Sequence, residues 1–258
     1  NIQFSLKAQG GELLIPEEGG MALEKDESAI LPFGLNMDGI ILNYATAQLL
    51  TKGGDSQHAY YLFFAPPGMD SEYSIRNSDG IKIRPGKGYE ISKTEERILI
   101  RAEASMPSEI LIKKEDGSTV KILTIDKEMA LKSNIVQVNG KQYIMFTEGV
   151  ILDKQGSLDL HLINNSRSTL AVYPPIGLIP ESTNGTISLV KQKGAIMDRY
   201  EIDVPSYVVV PDYKLIQKNK ILVSLPDELP SGVSDLFLVI DYTGDTGMGF
   251  YKGELVSD

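Results

Sequence analysis

Hydrophobic and polar residues alternate along most of the chain, a pattern typical of strands that bury one face. In "NIQFSLK", Ile2, Phe4 and Leu6 fall on one face and polar residues fall on the other. The run "YYLFFAPP" is instead continuously apolar and closes with two prolines, as expected of a strand covered on both faces. Within this run, Tyr60, Phe63 and Phe64 are predicted to be core residues. The pattern therefore predicts an all-β protein.

Dipeptides that contain glycine mark the places where strands turn back. Asn139-Gly140 is the preferred pair for a type I′ hairpin turn, in which both residues need positive φ. Gln155-Gly156 and Lys252-Gly253 stand between alternating runs, and Asp116-Gly117 separates two runs of branched residues. Each of these pairs predicts a β-hairpin.

Helix signals are scarce. The best is "TIDKEMALKSN", where Asp126 is placed to cap about two helical turns. Short strands separated by Gly and Pro predict β-sandwich or jelly-roll units, and the strand-then-long-helix repeat of a TIM barrel is missing. A stretch rich in Pro and Gly, "VYPPIGLIPESTNG", predicts a domain boundary. We expect a larger β-sandwich domain over residues 1–173 and a smaller unit over residues 174–258.

Composition narrows the classes of partner. The chain of 258 residues carries a net charge of −10 and has a pI near 4.8. Such a surface repels phosphate groups, so neither nucleic acid nor an anionic membrane is an expected partner. No run of about 18 apolar residues occurs, which predicts no transmembrane helix. Because cysteine is absent, the chain has no disulfides or thiolate ligands. A bacterial periplasmic or extracellular location is favoured over the cytoplasm.

The two histidines, His58 and His161, give no sign of a metal site. His58 lies in a turn rich in Gly and Asp and is predicted at a loop tip. His161 shares the polar face of its strand with Asp159, so both side chains are expected to point to solvent. A metal site needs three or four converging ligands, so we predict no metal and no cofactor.

Acidic residues are abundant, but they form no convincing catalytic pair. Glycoside hydrolysis normally needs two carboxylates that face each other across the scissile bond. Glu95 and Glu96 are adjacent, so they would point to opposite faces of a strand or be solvated in a turn. Neither a nucleophile elbow nor a P-loop occurs. The sequence therefore predicts no catalytic residue.

The string "DYTGDTG" holds the main candidates for ligand binding. Asp241 and Asp245 flank a Thr-Gly turn, where Asp side chains commonly accept hydrogen bonds from backbone N–H groups. Carboxylates in such a turn also suit Ca²⁺ or sugar hydroxyls, and Tyr251 near the next turn is a candidate stacking residue. Tryptophan, the usual platform for sugars, is absent. A structural role of the turn and ligand binding by these three residues both stay open.

Several strings resemble segments of one family. They are "ILPFGLNMDGIILNYATAQLLTK" (residues 30–52), "YYLFFAPPGMDSEYSI" (60–75) and "LFLVIDYTGDTGMGFYKGELVSD" (236–258). In this order they resemble bacterial family-35 glycoside hydrolases, the β-galactosidase family. The opening "FSLKAQGGELLIP" resembles the region that follows the catalytic barrel of that family. Gly34 departs from the family string, which usually has Asn there.

The resemblance implies β-sandwich units packed beside a TIM barrel, the last of them similar to a galactose-binding-like jelly roll. In the family the catalytic glutamates belong to the barrel, and no position here matches their motifs. The family's Asp-Tyr-x-Gly-Asp string usually continues into an Asn-Phe-Tyr segment that is absent after Asp258. The smaller, jelly-roll-like domain is therefore expected to be incomplete.

Three functions stay open at this point. The resemblance favours a non-catalytic β-sandwich region of a β-galactosidase-like glycoside hydrolase. Its expected partner is the catalytic TIM barrel, with a galactoside-containing glycan as a further contact. The alternative is a stand-alone carbohydrate-binding module, which the lack of tryptophan disfavours. An independent enzyme would need paired acids in a cleft, and the sequence offers none.

Overall fold

The computed structural model describes residues 2–8, 11–17, 19–23, 25, 27–66, 70–86, 88–102, 107–162, 165–178, 180–190, 195–205, 210–225, 228–229, 240–241, 243–244 and 246–257. The chain divides into two compact units, Asn1–Val204 and Pro205–Asp258. No helix within the described ranges is long and apolar enough to cross a membrane.

The first unit is built almost entirely of strands. Up to residue 125 these are β1 (Phe4–Ala8), β2 (Gly11–Ile15), β3 (Phe33–Met37), β4 (Ile40–Ala45), β5 (Gln48–Gly54), β6 (His58–Phe64), β7 (Ser71–Arg76), β8 (Lys82–Pro85), β9 (Tyr89–Lys93), β10 (Arg97–Ala102), β11 (Ser108–Lys113) and β12 (Thr119–Ile125). They are followed by α1 (Lys127–Leu131), β13 (Ser133–Val138), β14 (Lys141–Phe146), β15 (Val150–Lys154), β16 (Ser157–His161), β17 (Arg167–Tyr173), β18 (Thr186–Val190) and β19 (Asp198–Asp203). The predicted all-β fold is confirmed.

Two five-stranded sheets face each other in the first part of this unit. Their strand orders are β3-β4-β7-β10-β9 and β5-β6-β12-β11-β8. Apolar side chains from both sheets fill the space between them. The rings of Phe63 and Tyr73 meet edge to face across this core, with 5.3 Å between centroids. The Tyr73 hydroxyl lies 2.8 Å from Thr124 Oγ1, so a hydrogen bond also joins the two sheets.

Strand β6 is covered on both faces, as the continuous apolar run predicted. Tyr61 and Phe63 point into the core between the two sheets. Tyr60 and Leu62 point the other way, into a second core that includes Tyr173 of β17. Successive side chains of one strand therefore supply two different cores.

A third sheet, with strand order β13-β14-β17-β19-β18, completes the first unit. One of its faces packs on β6, and the other packs on the hairpin β15–β16 through a core that contains Met145, Leu160 and Tyr200. The boundary predicted between residues 173 and 174 lies inside this sheet, because β17 pairs with β19. The division into compact units falls later, between Val204 and Pro205.

The predicted turns and helix cap are confirmed. Asn139 has a φ of 52° and Gly140 a φ of 74°, as the predicted type I′ turn between β13 and β14 requires. Gln155-Gly156 and Lys252-Gly253 show the same pair of positive φ values. Asp126 caps α1 by accepting a hydrogen bond from the Met129 N–H at 2.6 Å. The helix is shorter than the two turns predicted, because β13 begins at Ser133.

The second unit contains two hairpins in its described part. They are formed by β20 (Asp212–Gln217) with β21 (Lys220–Ser224), and by β22 (Gly249–Tyr251) with β23 (Glu254–Ser257). Every side chain of β20 is exposed. The jelly-roll-like nature of this unit stays a prediction.

Candidate functional site

The candidate ligand-binding residues lie in the second unit. Asp241 is exposed, and Tyr251 exposes 55% of its surface at the end of β22. The Lys252 ammonium lies 5.1 Å from the centroid of the Tyr251 ring, so it covers one ring face that a sugar would need for stacking. Asp245 lies outside the described residues. In the described part of the chain, no hydrogen bond joins Asp241 to Tyr251.

Of the two histidines, only His58 is exposed as the sequence predicted, although it belongs to β6 and not to the tip of a loop. His58 begins β6, and its exposed ring lies 3.7 Å from the Asp55 carboxylate. His161 exposes only 14% of its side chain, and neighbouring Asp159 exposes 7%. The expectation that both point to solvent was therefore wrong. No cluster of three His, Cys, Asp or Glu side chains suited to a metal occurs within the described ranges.

Asp159 is buried because a distant loop covers the face of β16 on which it stands. The loop forms backbone hydrogen bonds with Leu158, through Glu181 O at 2.8 Å and Thr183 N at 2.9 Å. The Asn184 side chain then pairs with the Leu160 backbone, accepting from its N–H at 3.0 Å and donating to its carbonyl at 2.8 Å. Residues 181–184 thus act as an irregular neighbouring strand.

The Asp159 carboxylate is held by groups on both sides. Lys154 Nζ lies 2.5 Å from Oδ2, the Thr183 hydroxyl donates to Oδ1 at 2.9 Å, and His161 Nε2 lies 3.1 Å from Oδ2. Lys154, and then Thr183 and His161, lower the pKa of this carboxyl group. In a hydrolytic triad the histidine stands between the acid and the nucleophile. Here the acid stands between the histidine and the hydroxyl, and these contacts form a clamp that holds the loop on β16.

A second buried carboxylate, that of Glu72, lies on the face of the first sheet opposite the inter-sheet core. Glu72 belongs to β7 and exposes 3% of its side chain. Its Oε1 accepts hydrogen bonds from the Tyr44 hydroxyl at 2.6 Å and from the Glu17 N–H at 2.7 Å. Its Oε2 accepts from the Arg101 guanidinium at 3.1 Å. Both carboxylate oxygens are therefore engaged by the protein itself.

The segment after β2 covers Glu72. Ile15, at the end of β2, packs against Tyr44, and the chain then passes over the carboxylate. The Glu17 side chain forms an ion pair with Arg97 of β10. Burial, and next the hydrogen bond to Glu72, raise the pKa of Tyr44, which keeps its hydroxyl a neutral donor. The Glu72 cluster (Glu72, Tyr44, Arg101 and the Glu17 N–H) thus holds the amino-terminal segment on the sheet.

A third polar contact joins the first sandwich to the third sheet. The Tyr173 hydroxyl donates to Glu109 at 3.0 Å, and Lys121 Nζ lies 3.2 Å from the same carboxylate. Burial, and then the charge of Glu109, raise the pKa of Tyr173. Next to it, the rings of Tyr60 and Tyr173 meet edge to face at 5.3 Å between centroids. Gln142 of β14 donates to the Lys52 carbonyl at 3.0 Å.

One open depression lies at an end of the sandwich, with a volume of about 460 Å³. It is formed by the β3–β4 turn, the β7–β8 connection and the β11–β12 turn. Asp79, Glu115 and Asp116 line it, together with Lys114. Lys114 Nζ is held by the Asp38 carbonyl at 2.8 Å. None of the described residues that line the depression is aromatic, so they offer no platform for sugar stacking.

These contacts define a β-sandwich protein in which the buried carboxylates of Glu72 and Asp159 bind side chains and backbone groups of the protein itself. Residues 1–151 match the family model described as Beta-galactosidase, domain 2, and the chain belongs to this family. This domain is a non-catalytic accessory domain of glycoside hydrolases. A comparison with curated proteins found no match. The resemblance to β-galactosidases is thus confirmed, whereas the assignment to family 35 and a position after the barrel stay predictions.

Sequence reasoning missed the Glu72 cluster. Its signal was the string "SEYSIR", in which Tyr73 and Ile75 face the core and Glu72 must therefore face the opposite side. Alternation in this string assigns the face of Glu72, but it does not reveal that residues 11–17 cover that face.

Proposed function

We propose that this chain is a non-catalytic β-sandwich region of a β-galactosidase-like glycoside hydrolase, and that it scaffolds the catalytic barrel. The observation that carries the proposal is the match of residues 1–151 to β-galactosidase domain 2. The contacts of the two buried carboxylates among the described residues also support it. Glu72 and Asp159 are each saturated by protein donors, so neither is presented to a substrate.

A scaffold must hold its shape, and the first unit has the contacts for this. Two cores share β6, one between the facing sheets and one against the third sheet. The hydrogen bond between Tyr173 and Glu109 and that between Gln142 and the Lys52 carbonyl cross the second core. Apolar burial supplies the stability, and these two polar contacts, one partly buried and one exposed, favour one relative position of the sheets.

An exposed apolar face on β1 supports a protein partner. Ile2, Phe4 and Leu6 expose between 42% and 49% of their surfaces. Phe4 pairs with Ile15 of β2, which is fully buried on the first sheet. The exposed apolar side chains of β1 therefore adjoin a buried apolar cluster. Exposed apolar patches of this kind commonly mark contact surfaces for protein partners. We assign this face to the catalytic barrel.

Activity of the isolated chain tests the non-catalytic part of the proposal. We expect no hydrolysis of a nitrophenyl β-galactoside above that of buffer. The control is Glu72→Gln, which alters the more deeply buried of the two carboxylates, Glu72 and Asp159. A hydrolysis rate that survives repurification of the chain and falls in this variant would refute the proposal.

Binding to a barrel tests the scaffolding part. The catalytic barrel of a β-galactosidase of this family, expressed separately, is titrated with the chain in a calorimeter. We expect binding that the double variant Phe4→Ser, Leu6→Ser weakens. Leu152→Ser, which removes an equally exposed apolar side chain from β15, is the matched control and should bind normally. If the unaltered chain does not bind the barrel, the scaffolding proposal is contradicted. If both variants lose the same affinity, the assignment of the β1 face is contradicted.

Glycan binding by the second unit is a further proposal, supported by the exposure of Asp241 and Tyr251. It predicts that β-galactosides bind weakly and that Tyr251→Ala removes the binding. Tyr213→Ala, at an exposed tyrosine of the other hairpin, is the control. A flat calorimetric titration with the unaltered chain would exclude this role.

A further inference from the structure

The sequence contains two Asn-Gly pairs, Asn139-Gly140 and Asn184-Gly185, in contrasting surroundings. We propose that Asn139 is a site of spontaneous deamidation and that the fold protects Asn184 from the same reaction. Because the reacting dipeptide is identical, the difference between the two sites arises from the structure around them.

The reaction needs only the chain and water. The backbone nitrogen of the glycine attacks Cγ of the asparagine side chain and loses its proton as the new C–N bond forms. The bond from Cγ to the side-chain nitrogen breaks, and ammonia leaves. Water then opens the resulting succinimide to either aspartate or isoaspartate. Glycine favours the attack because no Cβ hinders the approach, and its backbone adopts many conformations.

The Asn139 pair is open to this attack. Both residues lie at the tip of the β13–β14 hairpin and are exposed. Within the described part of the chain, the Asn139 side chain has no hydrogen-bond partner. A Cβ added to Gly140 would meet nothing within 4 Å. No neighbouring group therefore crowds Gly140 on the side where its Cβ would lie.

The Asn184 pair is held at each reacting group. The Asn184 amide donates to the Leu160 carbonyl at 2.8 Å and accepts from the Leu160 N–H at 3.0 Å. The attacking nitrogen, that of Gly185, donates to Ser182 Oγ at 3.1 Å. A Cβ at Gly185 would lie 2.7 Å from the Asp203 carbonyl oxygen, so this backbone is closely packed. Attack requires all of these contacts to be given up.

Deamidation at Asn139 would alter a contact between sheets. Isoaspartate adds one carbon to the backbone of a two-residue turn, and the register Val138–Lys141 depends on that turn. Gln142, next in β14, donates to the Lys52 carbonyl and lies 3.3 Å from the Tyr60 hydroxyl. A shift of β14 therefore loosens the third sheet from the first sandwich.

The test is incubation of the full chain in warm, mildly alkaline buffer, followed by peptide mapping with mass spectrometry. We expect Asn139 to deamidate at least about tenfold faster than Asn184, because several hydrogen bonds must break before Asn184 can react. In concentrated urea the two rates should converge, which shows that the fold protects Asn184. The variant Asn139→Gly places Gly-Gly in the turn, a pair that a type I′ turn accepts. It should remove the rapidly formed product at position 139 and leave the slowly formed product at Asn184. Equal rates in the folded chain, or faster conversion at Asn184, would overturn the proposal.

Discussion

Tyrosines of the two units differ sharply in their surroundings. In the first unit, Tyr44, Tyr73 and Tyr173 are fully buried, and each hydroxyl forms a hydrogen bond with another side chain. In the second unit, Tyr213 and Tyr251 expose more than half of their surfaces. The same residue type is thus a core element in one unit and a surface element in the other. What decides the outcome is whether a second layer covers the strand.

The strands themselves show the same difference. In β6, alternate side chains enter two cores because sheets lie on both sides. In β20, no side chain is buried. An isolated two-stranded hairpin is marginal in water, so the described hairpins of the second unit are expected to add little to the stability that can be measured. Changes in the first unit should therefore be costly, and equivalent changes in the second unit should cost little.

The largest effect is expected from alkaline pH. Burial raises the pKa of Tyr44, Tyr73 and Tyr173, and it raises the pKa of Tyr61 and Tyr89 to about 12. A raised pKa favours the neutral phenol in the folded state. Its stabilisation is complete below pH 10 and is lost as the pH rises above 10. Each such tyrosine lowers the free energy of unfolding by about 1.4 kcal/mol per pH unit in that range.

We therefore expect the first unit to unfold cooperatively above pH 10. Phenolate absorbance and circular dichroism, measured in the same titration, monitor this transition. The double variant Tyr213→Phe, Tyr251→Phe is the control and should unfold at the same pH. If phenolate absorbance rises well before the strand signal is lost, the buried tyrosines do not drive the transition.

The next largest effect is expected from the core between the facing sheets. Phe63→Ala removes a buried ring that contacts Tyr73, and it should lower the free energy of unfolding by about 3–5 kcal/mol. Leu215→Ala, on the exposed β20, should change it by less than about 0.5 kcal/mol. Urea denaturation measures both. Similar losses in the two variants would remove the distinction between the units.

A smaller loss is expected at the Glu72 cluster. Glu72→Ala leaves the Tyr44 hydroxyl and the Glu17 N–H without their acceptor, at a cost of about 3 kcal/mol. Because Arg101 is partly exposed, water screens its share of the loss. Glu95→Ala, at an exposed turn of the same unit, is the control. Faster amide exchange in residues 11–17 should accompany the loss, and its absence would argue against a clamp on that segment.

Local pattern predicted the strands, several turns and the helix cap, because these depend on neighbouring residues. The residue types at Asn139-Gly140 and Asp126 are enough to predict a turn and a helix cap. The continuous apolar run of β6 is likewise enough to predict that both of its faces are buried. The burial of Glu72 and Asp159 could not be predicted in this way. Each is covered by a segment far away along the chain, and alternation assigns a face without telling what packs on it. The Pro-rich stretch after Tyr173 likewise connects two strands of one sheet.

The smallest effect is expected at Asp159, because its ion-pair partner Lys154 is largely exposed to solvent. Asp159→Asn should lower the free energy of unfolding by about 1–2 kcal/mol at neutral pH. Because the folded state lowers the pKa of this carboxyl group, its stabilisation is present above the unfolded value of about 3.9 and is lost as the pH falls below it. The difference between the parent chain and the variant should therefore shrink in acid, whereas Asp241→Asn, at an exposed aspartate of the second unit, should cost little at any pH. A difference that stays constant from neutral to acid pH would mean that the charge of Asp159 does not carry the clamp and that its shape alone does.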